Sequence, residues 1–420
     1  MRSEIVAAGA DPETTVAALR ELIPAAESVA AGVAEIIAEV RARGDDAVLQ
    51  YTQRFDTGGT VPRPLRVPRD AVRAAAEQLP QAVAEALGLA IANVGDAARA
   101  AVQLDRTVRV RGAEVTLREA PVWSAAVYVP GGRAPYPSTV VMGVVTAIAA
   151  GVPEVVVCAP PGRDGEIDPV VLGACELAAA TGVYRMGGAQ AIAALAYGTA
   201  TVKPVDVIVG PGNLWVQEAK RQVSGQVGID SFAGPSDLLV LAEPGSDPEP
   251  IALDLLAQAE HGDGTLVLAA STSRELLEQL AALIERAADT GAVCRLIELH
   301  DLNQAWSLAQ AFAPEHLELI GPEVELLAPR LTTAGCVFVG AAAGTAFGDY
   351  IAGSNHILPT GGTGRFASAL SVRAFRRSFT EVRVGDPSLL ASTAAPLARA
   401  EGFEYHARSM EARIRDNQPG

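Results

Sequence analysis

Apolar positions along this chain change their period twice. Up to about residue 105 they recur at helical spacing: Val33, Ile36, Ile37 and Val40 form one stripe, and the alanine-rich run 70–101, interrupted by Pro80, forms one or two more. Residues 1–105 are therefore expected to be helical. From 108 to 119 apolar and polar residues alternate, which predicts a hairpin. Between 122 and 242 the pattern becomes an apolar strand, a glycine-rich turn and a helix, repeated. The predicted strands are 122–129, 155–158, 184–186, 205–209 and 238–241. The alternation continues with helices 248–261, 273–288 and 301–311, each followed by a strand (265–269, 294–298, 317–320), and 337–339 is a further strand. Strands alternating with helices imply βαβ units and mostly parallel sheets, with ligands at the carboxyl ends of strands. A loop-rich stretch, 344–365, precedes a tail of helices from about 387 to 415.

Composition narrows the class. The 420 residues suffice for two or three domains, and 49% apolar with only 5% aromatic residues suits close helix-on-sheet packing. A net charge of −16 leaves no basic stripe for phosphates, which argues against nucleic acid. The apolar run 140–150 is too short to span a bilayer, and the first residues carry no secretory pattern, so a cytoplasmic protein is expected. Cys158, Cys175, Cys294 and Cys336 lack metal-site spacing and read as reduced, small hydrophobes.

Candidate chemistry gathers around the histidines. Of only five, four sit in segments crowded with carboxylates and glycines: Gln258-Ala-Glu-His261, Pro314-Glu-His316, Gly348-Asp-Tyr350 running on to Asn355-His356, and Glu401-Gly-Phe-Glu-Tyr-His406. His300 reads as a surface residue. Rare titratable side chains beside carboxylates point to one composite site. Gln258 and His261, three apart, share one helical face before the stop at Gly262. With Asp349 and His406 they would give a nitrogen and oxygen shell suited to zinc, cobalt or manganese. Glu315-His316 falls at a loop-to-strand junction where both side chains can enter one pocket, an imidazole base beside a carboxylate. Three strand-end turns, Val129-Pro-Gly-Gly132, Met186-Gly-Gly-Ala-Gln190 and Val209-Gly-Pro-Gly-Asn213, allow backbone amides to approach a phosphate. None carries the dinucleotide fingerprint. They are tight βα turns or, with Tyr128, Gln190 and Asn213 beside them, an atypical nucleotide site.

Over nearly its whole length the sequence resembles histidinol dehydrogenase. The resemblance is carried by Tyr128-Val-Pro-Gly-Gly132, Tyr136-Pro-Ser-Thr139, Gly187-Gly-Ala-Gln190, Gly210-Pro-Gly-Asn213, Ala233-Gly-Pro-Ser236, the segments 254–261 and 348–360, Glu315-His-Leu-Glu318, and Glu401 to His406. It departs at Asp237, where glutamate is usual, and at Gly364, where alanine is common. The resemblance implies two Rossmann-like α/β domains with mostly parallel sheets, a helical N-terminal segment and a C-terminal helical tail. Residues 1–127 with 238–370 would carry most of the metal site, 128–237 the cofactor side, and 371–420 a tail reaching the partner subunit of a homodimer.

By the same resemblance, zinc is held by Gln258, His261, Asp349 and His406, with one ion per subunit, and Glu315 and His316 perform the acid–base steps. Ser236, His356 and Glu401 contact the substrate, together with Gln258, His261, His316, Asp349 and His406. Tyr128, Gln190 and Asn213 contact NAD. The implied reaction is the four-electron oxidation of L-histidinol to L-histidine through L-histidinal, with neither nucleic acid nor membrane as partner. The rival is a related zinc and NAD dehydrogenase of another small polar alcohol, such as a sulfonated diol.

Overall fold

A computed structural model describes residues 1–23, 28–132, 134–231 and 234–414. Ala233 of the motif quoted above and Arg415 at the end of the expected tail lie outside them. The chain forms two compact units, Met1–Ala101 with Val122–Phe375, and Val102–Pro121 with the chain from Arg376 on.

The first unit begins with β1 (Ser3–Ala7), where helix alone was expected. Helices α1 (Pro12–Glu21), α2 (Ala30–Arg43), α3 (Asp45–Phe55), α4 (Arg69–Glu77) and α5 (Gln81–Ala100) follow. After β2 (Arg106–Val110) and β3 (Ala113–Pro121), which belong to the second unit, come β4 (Ser124–Tyr128) and a helix made of α6 (Pro137–Val140), a π turn and α7 (Thr146–Ala149). Then alternate β5 (Glu154–Ala159), α8 (Pro169–Leu177), β6 (Gly182–Arg185), α9 (Gly188–Tyr197), β7 (Val207–Val209), α10 (Leu214–Val223) and β8 (Gly228–Ile229). These strands form a five-stranded parallel sheet in the order β6-β5-β4-β7-β8.

The chain crosses to β9 (Asp237–Ala242) and continues as α11 (Pro248–Ala259), β10 (Leu266–Ser271), α12 (Arg274–Ile284), β11 (Val293–Glu298), α13 (Leu302–Phe312), β12 (His316–Ile320), α14 (Pro322–Glu325), β13 (Cys336–Val339) and α15 (Thr345–Tyr350). The second sheet is six-stranded and wholly parallel, β1-β11-β10-β9-β12-β13. Its central strands β9, β10 and β12 are buried on both faces, so they read as largely apolar runs. Leu238 and Val240 of β9 face a core with Leu255, Leu277 and Leu280, while Leu239 and Leu241 face the opposite core with Phe312, Leu317 and Leu319. Each such side chain withdrawn from water contributes about 2 kcal/mol. Side-chain caps start the helices: Asp247 Oδ1 accepts from Glu249 N, and Asp301 Oδ1 from Gln304 N. All four cysteines are free, and Cys158, Cys175 and Cys294 are buried among apolar side chains. No helix of the described residues is long and apolar enough to cross a membrane.

In the second unit β2, β3 and β14 (Arg376–Val384) form an antiparallel sheet, β14-β3-β2. The strand β14 follows from no apolar alternation, since four of its nine residues are charged and its side chains are largely exposed. Helices α16 (Ser388–Ala400) and α17 (Glu404–Glu411) complete the unit. They are two packed helices broken at Gly402, with φ of 82°, and not one irregular helix. Arg399 fastens them by ion pairs to Glu404 at 2.9 Å and Glu411 at 2.7 Å.

Candidate active site

Glu315 and His316 lie at the amino-terminal end of β12. The preceding helix α13 stops because Ala313 turns into the left-handed region (φ 49°) ahead of Pro314. That delivers Glu315 into the interior, where it and His316 are only 6% and 3% exposed. The neighbouring strand β9 begins with Asp237, and the two residues clasp one another. Glu315 N donates to Asp237 Oδ1 at 2.6 Å, and Asp237 N donates to Glu315 Oε2 at 3.0 Å. Asp237 also accepts from Gly361 N at 3.3 Å and faces Arg20 at 3.6 Å. Aspartate at the position noted above as a departure therefore still reaches Glu315 at the start of β12. Burial pushes the Glu315 carboxyl up to about 7.

The His316 ring is flanked by carboxylates: Nε2 lies 3.3 Å from Asp349 Oδ1 and Nδ1 lies 3.9 Å from Glu315 Oε2. Glu315 is too far from Nδ1 and Asp349 is not aligned on Nε2, so among the described residues neither buried ring nitrogen makes a hydrogen bond. Burial alone would lower its affinity for a proton, but Glu315 and then Asp349 outweigh it and raise His316 to about 9. A partnerless buried imidazole among carboxylates is costly as mere structure and useful as a proton acceptor and donor.

The other expected residues of this unit converge from three elements. Gln258, in the last turn of α11, is 2% exposed and its Nε2 has no hydrogen-bond partner. His261 follows in the turn that closes at Gly262 (φ 85°), with His261 N donating to Gln258 O at 3.2 Å. Asp349 is on α15, which packs against α11. Burial would raise its carboxyl, yet His316, His356 and His261 hold it below the usual aspartate range. Asp349 is thus charged, beside an imidazole and a buried amide with one unheld end. Among the described residues no three His, Cys, Asp or Glu side chains form a cation site. This unit supplies one amide, one imidazole and one carboxylate, and such a partial shell needs a further donor.

His356 lies behind Asp349, its Nδ1 2.8 Å from the Asp349 carbonyl and its Nε2 3.3 Å from Thr139 Oγ1. A carbonyl only accepts, so Nδ1 carries the proton and Nε2 accepts from the hydroxyl. Burial lowers its affinity for a second proton. Ser236 immediately precedes Asp237, with its carbonyl accepting from Leu266 N at 3.1 Å. Glu401 and His406 are in the second unit and exposed, Glu401 ending α16 and His406 lying in the first turn of α17 with its ring 5.1 Å from that of Phe403. His300 is exposed just past β11.

Sequence reasoning passed over Glu318 and Asp254. Glu318 is two residues beyond His316, hence on the same face of β12, and is 2% exposed. Its Oε1 accepts from Thr345 N at 2.7 Å and from the Thr345 hydroxyl, tying β12 to the start of α15 and so to Asp349. Burial and then the adjacent Asp254 carboxyl raise Glu318 to about 7. The available signal was a carboxylate inside the otherwise apolar run Leu317-Glu-Leu-Ile320.

The three glycine turns stand at the carboxyl ends of β4, β6 and β7. Tyr128 ends β4, and its hydroxyl accepts from Gly188 N at 3.0 Å. Gln190 lies in the first turn of α9, 1% exposed, with Nε2 unpartnered. Asn213 caps α10, its Oδ1 accepting from Val216 N at 3.2 Å. The parallel sheet thus brings the three turns, with Tyr128, Gln190 and Asn213, to one edge.

Parallel βαβ sheets with polar turns at the strand ends of one, and a buried glutamate–histidine pair in the other, define an α/β enzyme of acid–base chemistry. The sequence model of the histidinol dehydrogenase family matches residues 23–414. The chain is 42% identical over 395 residues to the histidinol dehydrogenase of Parasynechococcus marenigrum (strain WH8102), covering 90% of each. It is 42% identical over 422 residues to that of Ruegeria pomeroyi, covering 96% of each. The crystal structure of histidinol dehydrogenase from Elizabethkingia anophelis superposes with a TM-score of 0.91 at 29% identity, covering 98% of each chain. The chain belongs to the histidinol dehydrogenase family and is an oxidoreductase.

Proposed function

We propose that the chain carries out the NAD-dependent, zinc-assisted oxidation of L-histidinol to L-histidine through L-histidinal. The observation that carries this reading is the buried Glu315–His316 pair, with His316 Nε2 3.3 Å from Asp349 and without a hydrogen bond. The residues form a donor set that fits a zinc ion: Asp349 is charged, His261 supplies an imidazole, and Gln258 adds a buried carboxamide whose oxygen is the donor atom. They fit NAD through Tyr128, Gln190 and Asn213. When bound, zinc orients the imidazole and amine of the substrate and NAD accepts the hydride.

His316 takes the proton of the carbinol as hydride leaves. With the Asp349 charge engaged by a cation, His316 loses one of the two carboxylates that hold its proton, and it can act as a base. Glu315 then draws a proton from water as the water adds to the aldehyde, while His316 returns its proton to the former carbonyl oxygen. Neutral again, His316 takes a hydroxyl proton of the hydrate as the second hydride passes to a second NAD. Ser236 and His356 border this space and hold the substrate; Glu401 does so from the second unit. His406 is exposed on that unit while the shell in the first unit lacks a donor. A homodimer in which each tail completes the partner's site accounts for both. The exposed apolar residues of the β2-β3-β14 sheet, among them Val110, Leu117 and Val382, support such an association. Two NADH formed per histidinol consumed is the expected stoichiometry, and none with histidinol but turnover with a sulfonated diol overturns the substrate assignment.

A further inference from the structure

Beneath the Gly210–Asn213 turn lies an ion pair that the chemistry above does not use. Lys220, on α10, is 1% exposed, and the side chain of Asp230 is 4% exposed. Lys220 Nζ donates to the Gly210 carbonyl at 2.9 Å and pairs with Asp230 Oδ1. Asp230 Oδ2 accepts from Gly210 N at 2.7 Å, and Oδ1 accepts from Ser231 N at 2.8 Å. One glycine thus has both its backbone polar groups held by one buried charge pair. Only glycine fits the turn, since Gly210 has φ of 119° and a Cβ there would lie 2.1 Å from the Tyr128 carbonyl oxygen. At its far end Gln217 Nε2 donates to Gly212 O at 3.3 Å.

Burying two charges is expensive, and apolar side chains of the same volume are often as stable. An apolar pair would leave Gly210 unheld against Tyr128. Resting on the NAD reading, we propose that Lys220 and Asp230 are positioning residues that fix the Gly210–Asn213 turn in the shape that receives the cofactor.

The test compares the full-length chain with Lys220→Met, with Lys220→Arg and with the double variant Lys220→Met/Asp230→Asn, which removes both charges. NAD affinity is read by calorimetric titration, beside histidinol KM, zinc content and the unfolding midpoint. The expected result is NAD binding weakened about tenfold or more in Lys220→Met and in the double variant, with partial recovery in Lys220→Arg. Histidinol KM and zinc content stay at parental values. If Lys220→Met alone does not fold, the double variant decides. Parental NAD affinity in a folded double variant, or equal loss of NAD and histidinol binding that tracks the loss of stability, overturns the inference alone. A parent chain that binds no NAD overturns the cofactor reading together with it.

Discussion

Replacing Glu315 by glutamine separates the two oxidations. The substitution is nearly isosteric, and the amide oxygen can still accept from Asp237 N, as Glu315 Oε2 does at 3.0 Å. The clasp between β9 and β12 therefore survives, and the unfolding free energy should change by no more than about 1 kcal/mol. What disappears is the carboxylate that, in the proposed mechanism, takes a proton from water only after the aldehyde exists. General-base catalysis is worth about 10² to 10⁴ in rate, or about 3 to 5 kcal/mol of barrier. Histidinal oxidation should fall by that factor. In the proposed mechanism histidinol oxidation to the aldehyde depends on His316. Losing the Glu315 charge lowers the affinity of His316 for a proton without removing the base, so this step should suffer less than the second. His316→Asn should instead slow both steps by about 10² or more. NADH formation is followed separately from histidinol and from histidinal, with stability measured in parallel. Equal losses on the two substrates for a Glu315→Gln chain of parental stability would refute the division of labour.

Three further outcomes are expected. Asp56 has a buried oxygen without a partner, and burial raises its carboxyl to about 7 from an unfolded value of 3.8. The native state therefore holds a proton that the unfolded chain releases, and stability should fall as pH rises from about 4 to about 7, by up to about 4 kcal/mol. Asp56→Asn should flatten that profile in denaturant unfolding at pH 5 and 8, and an unchanged slope would count against it. Chelation should abolish turnover while leaving NAD affinity within about twofold, so full activity of verified metal-free protein would contradict the zinc assignment. Refolding inactive His261→Asn chains with inactive His406→Asn chains should restore activity, because each heterodimer then has one site free of both defects; inactive, verified heterodimers would exclude a shared site.

The parallel sheets were legible because strands buried on both faces must be apolar throughout, and runs such as Leu238 to Leu241 satisfy that condition without context. The five-residue β1 was not. It lies at a sheet edge and takes its identity from pairing with β11, nearly three hundred residues away. Strand β14 was hidden by charge, since Arg376, Arg377, Glu381 and Arg383 leave too few apolar positions to betray a period of two. The histidine clusters were readable from scarcity alone: five histidines in 420 residues make each carboxylate-flanked one conspicuous.

Where the acid–base pair sits was less accessible. Doubly wound sheets place ligands at the carboxyl ends of strands, and the turns after β4, β6 and β7 obey that rule. Glu315, His316 and Asp237 lie at the opposite, amino-terminal ends of β12 and β9. Contacts inside the first unit connect the two sets: His356 and Asn355, which follow Asp349, bond to Thr139, Met142 and Thr146 of the α6–α7 helix beside β4. The segment after Asp349 is thereby tied to the helix beside β4, a connection that neither βαβ block predicts by itself. Asp237 shows why. In sequence it is one residue beyond Ser236 and 78 away from Glu315; only the parallel register of β9 with β12 turns it into the partner that holds the glutamate in place. Its role follows from strand adjacency, which a single chain's pattern of residues does not encode, whereas the chemistry of Glu315 and His316 follows from their side chains.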